Sequence, residues 1–243
     1  MFRTILFSSV LAGLIAGLAV AAIQHFVTVP LILEAETYET SGDTAFRFAP
    51  PDGATITDAA PIPVHGEAGH AAAWSPTDGV ERTFYSALTM VLMTIGFAMA
   101  LLGLMIAAGV PITVRAATLW AIGGFAAVSL APALGLPPEL PGSSAADVTA
   151  RQIWWACTVL ATAGALYLLA YRPPSIWWAA AGVLLVAPHV VGAPRPESYA
   201  SRVPAEIAGH FSAAVLVIAA VTWVLTGALA GWFHGRFAGG GNR

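Results

Sequence analysis

The sequence contains no lysine, a single cysteine (Cys157), and charged residues at only 9% of its 243 positions. Each shortage excludes something. Soluble domains carry about 25% charged residues, so this chain cannot cover a water-facing surface. Ten arginines against thirteen acids leave a net charge of -3, which gives nucleic acid no electrostatic footprint. One cysteine permits neither an internal disulfide nor a multi-cysteine metal centre. Cys157 lies in an apolar stretch and reads as a small buried hydrophobe. There is no G-x-x-x-x-G-K-[ST], G-x-S-x-G, HExxH or CxxC pattern. ATPase, hydrolase, zincin and thioredoxin-like chemistry therefore have no foothold, and the chain does not read as an enzyme.

What the chain does have is apolar length. It is 58% hydrophobic with a mean hydropathy of +0.77. The composition specifies an all-α integral membrane protein, a single membrane domain over 1–243. Six apolar segments can be drawn, at about 4–33, 84–109, 114–134, 152–171, 175–191 and 206–233. The fifth is short, and Arg172-Pro173-Pro174-Ser175 leaves only a tight hairpin before it. A bundle of six transmembrane helices is expected, with five as the alternative if 175–191 is re-entrant. The first segment imitates a signal peptide, with Arg3, an apolar core and Ala19-Val20-Ala21. Its apolar character nevertheless runs on to Leu33, well past the usual h-region, so it reads as a retained helix.

Charge orients the bundle. Six crossings place Arg3, Arg115, Arg172, Arg236 and Arg243 on one side with no acid, and all thirteen acids with five arginines on the other. Arginines in short loops beside helix ends favour the inside, which predicts N-in and C-in. The 34–83 stretch reads as one long extracytoplasmic loop without convincing helix before Trp74, a lid over the outer mouth. Gly13 and Gly17, and Gly227, Gly231 and Gly235, have the spacing of close helix packing. Tryptophans at 154, 155, 177, 178 and 232 read as interfacial anchors.

The residues that could do chemistry gather toward the outer side. His25 lies about 12 Å inside the end of the first apolar run at Leu33. His189 ends the fifth segment and His210 begins the sixth, with Glu206 one turn before it on the same face. Glu34, Glu36 and Glu39 follow the first segment, and the loop adds His65 and His70. Imidazole with carboxylate suits borderline divalent ions such as cobalt, nickel or zinc. The methionines at 90, 93, 99 and 105 have ordinary packing spacing and mark no copper path. Each histidine also has a plainer reading as a hydrogen-bonding helix residue, and the acids as a solvated helix end.

Three stretches resemble one family. They are AGLIAGLAVAAIQHFVTVPLILEAETYE in the first segment, Trp74-Ser75-Pro76-Thr77-Asp78-Gly79-Val80-Glu81-Arg82-Thr83 before the second, and Ala187-Pro188-His189-Val190-Val191-Gly192-Ala193-Pro194. Together they resemble the CbtA family, the predicted cobalt transporter subunit of bacteria, over nearly the whole chain. The resemblance implies a multi-pass protein of the bacterial cytoplasmic (inner) membrane that carries cobalt for cobalamin synthesis. It also implies a small one-helix partner, CbtB, and is usually drawn with five spans. Many members have a histidine-rich first loop, where this chain has only His65 and His70. The resulting expectation is uptake of a divalent metal, cobalt first, as transported ion with no organic cofactor. The acids would attract the ion, and His25, His189 and His210 would replace part of its water shell, with Glu206 orienting His210. The rival reading is a non-transporting receptor or assembly subunit that positions a partner protein.

Overall fold

The computed structural model describes residues 2–48, 76–196, 201 and 203–239, with the backbone alone over 39–48. The described residues form six helices and no strand. These are α1 (Phe2–Phe48), α2 (Val80–Ala107), α3 (Val114–Ala133), α4 (Val148–Tyr171), α5 (Ile176–Val191) and α6 (Ala205–Gly239). All but α5 are long and apolar enough to cross a membrane. At 16 residues, α5 measures only about 24 Å.

Glycine sets how closely α1 and α6 approach their neighbours. A Cβ on Gly13 would lie 2.4 Å from the Ile95 Cα of α2, and one on Gly17 would lie 2.5 Å from the Val91 Cα. The Thr94 hydroxyl donates to the Gly13 carbonyl across this contact at 2.7 Å. On the other side of the bundle, a Cβ on Gly227 would meet the Ala121 Cβ at 2.4 Å, and one on Gly231 the Thr113 carbonyl at 2.9 Å. The small-residue spacing thus marks real backbone contacts at four of its five positions. Gly235 has nothing within 4 Å and takes no part.

These contacts fix the directions of the helices. α1 runs antiparallel to α2, since 13 meets 95 and 17 meets 91, and α3 runs antiparallel to α6. Ile5, Val110, Ile112 and Phe233 pack around one cluster, while Leu31, Ala35, Leu140, Val203 and Phe211 form another. The start of α1 and the end of α6 therefore share one end of the bundle, which requires an even number of passes. The short α5 supplies the remaining run between the two ends of the bundle. It begins beside Arg172 and returns to Trp154, whose indole N–H donates to the Pro188 carbonyl at 3.2 Å. Its packing is confined to α4, so nothing beyond that hairpin demands a longer helix.

Three local readings change. First, helix continues from 34 to Phe48 where a loop was expected. Ala, Glu and Thr carry no breaker before Gly42, so nothing stops the helix as it leaves the apolar run. Second, Cys157 is exposed, because it lies on an α4 face that no other helix covers. Third, Trp154 and Trp155, expected as interfacial anchors, brace one helix to another. Pro132 has no N–H to offer the Val128 carbonyl one turn back. The helix turns π over Ala126–Leu130, and the Trp155 indole supplies the missing donor to Val128 at 3.2 Å.

Candidate metal-ion mouth

Charge separates along the bundle axis. Among the described side chains, Glu34, Glu36, Asp78, Glu81, Glu139, Asp147 and Glu206 all lie at the end where α1 leaves the bundle, with Arg82, Arg151 and Arg195. The opposite end holds Arg3, Arg115, Arg172, Arg236 and His234, and no acid among the described residues. Two of its arginines lie over indole faces, Arg172 on Trp177 at 5.4 Å and Arg236 on Trp232 at 4.9 Å. A divalent cation approaching the acidic end meets seven carboxylates against three guanidiniums among the described side chains, a balance that favours cations.

The sequence before α2 builds one wall of this mouth. Gly79 takes φ +99°, a conformation that favours glycine, and turns the chain into the helix. The Glu81 carboxylate then accepts from the Thr77 amide at 3.0 Å and from its hydroxyl, and the Thr83 hydroxyl donates to the Gly79 carbonyl at 2.9 Å. Arg82 reaches two acids, Asp78 one turn back at 3.0 Å and Glu36 of α1 at 2.6 and 3.3 Å. The fork on Glu36 latches α1 to α2. Sequence reasoning quoted these residues only as a signature. The Asp-x-x-x-Arg spacing, which pairs along a helix, was the available signal for Arg82.

The predicted ligands are dispersed around this end. His25 is exposed and stands edge-on to Phe26, with ring centroids 5.2 Å apart. It lies on α1 about two turns beyond the Gly17–Val91 contact. Pro30 also deprives the neighbouring Phe26 carbonyl of its usual helical donor. His189 is half-buried against the Trp154 ring, 5.9 Å between centroids. Glu206 and His210 are both exposed and one turn apart on α6, as expected, but no hydrogen bond joins them. Glu34 is exposed, and Glu36 is held by Arg82. The Glu39 side chain, His65 and His70 lie outside the described residues.

Among the described residues, no three His, Cys, Asp or Glu side chains form a group that could hold a metal ion. The described buried polar residues are hydroxyls alone: Ser8, Ser9, Thr28, Thr94, Thr158, Thr162, Thr222 and Thr226. Hydroxyls are poor competitors for a cobalt-like ion beside imidazole. The described part of one chain thus offers a negative mouth with scattered imidazoles, and no continuous line of ligands through its core.

A family model described as "Probable cobalt transporter subunit (CbtA)" matches residues 2–235, nearly the whole chain. No curated protein and no solved structure matches it.

Proposed function

The chain belongs to the CbtA family, and on that premise we propose that it is the membrane subunit of a cobalt uptake system whose acidic end faces outward. The arginine end would face the cytoplasm of a bacterial cell, since Arg115 and Arg172 sit in short turns beside helix ends. The observation that carries the reading is the gathering of every described acid at the end that also bears His25, His189 and His210. A hydrated divalent ion would be drawn to Glu34 and its neighbours and exchange waters for imidazole at His25, on the rim of the α1–α2 contact. Release inward requires that each such site bind weakly.

Dispersed imidazoles support a coordination sphere completed by another protein, in keeping with the word subunit. A one-helix CbtB-type partner with histidines would supply what the described part of this chain does not gather. The same dispersal favours the second reading, a non-transporting subunit that positions such a partner.

Cobalt, nickel and zinc accumulation, measured by mass spectrometry in cells expressing the chain with and without the partner, separates the two. Transport predicts cobalt accumulation above empty cells once both proteins are present, and above the partner alone. Copurification of the pair with no gain over the partner alone would leave the positioning role and remove the transport role.

A further inference from the structure

α4 and α6 do not touch each other, and both pack against α3. At the acidic end the gap opens into a cavity of about 500 Å³, walled by Val128 and Pro132 of α3, Trp155 of α4, and Val215 and Leu216 of α6. Arg151, Gln152 and Ser129 supply its polar groups. Below it, Ala220, Val221, Val224, Leu225 and Ala228 present an open apolar surface formed by α6 alone. From Leu216 to Ala228 the helix covers about 18 Å, close to the roughly 15 Å depth of one leaflet's hydrocarbon.

We propose that this groove holds an outer-leaflet phospholipid with a zwitterionic, ethanolamine-type headgroup. The cavity is open, so it can hold a headgroup and the start of an acyl chain while the rest of the chain lies along the apolar α6 surface. The mouth selects the headgroup. Arg151 spends one nitrogen on Glu139, at 2.8 Å, and guanidinium carries five N–H donors, so several remain for a phosphate together with the Gln152 amide. Glu139 beside it offers the carboxylate that an ammonium would meet. A purely anionic headgroup gains from Arg151 but is repelled by Glu139, so the ion pair discriminates between the two lipids. The site uses none of the proposed ion ligands, and only its assignment to the outer leaflet rests on the orientation proposed above.

The test is native mass spectrometry of the full chain in mild detergent, titrated with phosphatidylethanolamine and phosphatidylglycerol. The ethanolamine lipid should bind about tenfold more tightly, the discrimination expected of charge-assisted hydrogen bonds. Glu139→Gln should erase that preference by removing the partner of the ammonium, and Ala219→Phe, which fills the cavity, should abolish retention of both. A photoreactive ethanolamine lipid on the unaltered chain should label α6 between Leu216 and Ala228, whatever the variants do. Glycerol lipid bound as tightly as ethanolamine lipid, labelling elsewhere, or a copurifying helix occupying the groove in place of lipid would each overturn the proposal.

Discussion

The closest backbone approach in the bundle offers a prediction with an internal control. A Cβ added to Gly13 would lie 2.4 Å from both the Cα and the amide nitrogen of Ile95, atoms that cannot rotate aside. Carbon pairs settle at about 3.5–4.0 Å, so α1 and α2 must part by about 1 Å where they cross. The separation also stretches the 2.7 Å bond from Thr94 to the Gly13 carbonyl. Overpacking costs about 1–3 kcal/mol and the weakened bond about 1 kcal/mol. The better helix propensity of alanine returns about 1 kcal/mol. Gly13→Ala is therefore expected to destabilise the protein by about 1–3 kcal/mol, which lowers the melting midpoint by about 2–12 °C at this chain length. Gly96 and Gly103 lie on α2 with nothing within 4 Å of a built Cβ. Gly96→Ala and Gly103→Ala should hold the midpoint or raise it, because only the propensity gain applies. Thermal unfolding of the three variants in one detergent checks the reasoning. Gly13→Ala melting at or above the wild type would refute the packing argument, whatever the controls do.

Other perturbations follow from single bonds. Trp155→Phe removes the donor that replaces the N–H missing at Pro132 and should cost about 1 kcal/mol. In a Pro132→Ala background the same change should cost less, and equal costs in both backgrounds would count against the compensation. Asp147→Ala deletes the cap whose carboxylate accepts from the Ala150 amide at 2.8 Å, with an expected loss of about 1 kcal/mol in thermal unfolding. Arg82→Gln opens the α1–α2 latch. Both partners are about a third exposed (30% and 35%), so stability should fall by no more than about 1 kcal/mol. Amide exchange over Glu34–Tyr38 should quicken visibly, and unchanged exchange there would disprove the latch.

Much of the architecture was legible because bilayer-length apolar runs announce themselves. All six segments drawn from the sequence are helices, and the glycine spacing marked close packing on α1 and α6, though not which helices they meet. The number of passes was not legible from length, because α5 falls short of the hydrocarbon thickness. It follows from the shared end of α1 and α6, a tertiary fact. The extension of α1 to Phe48 was missed because loss of apolar character was read as loss of helix, while the residues after Leu33 contain no breaker until Gly42. The roles of Trp155 and Arg82 depend on a π turn and a cross-helix ion pair, neither of which follows from spacing along one helix.

On the function proposed above, the acidic, histidine-bearing end is where cobalt enters. The most direct test is cobalt accumulation by mass spectrometry in cells carrying the chain and its one-helix partner, comparing the wild type with His25→Ala at equal membrane abundance. The account predicts accumulation in the wild type and its loss, or a severe reduction, in the variant, with the partner still bound. Equal cobalt accumulation in both would take His25 off the path and contradict the account.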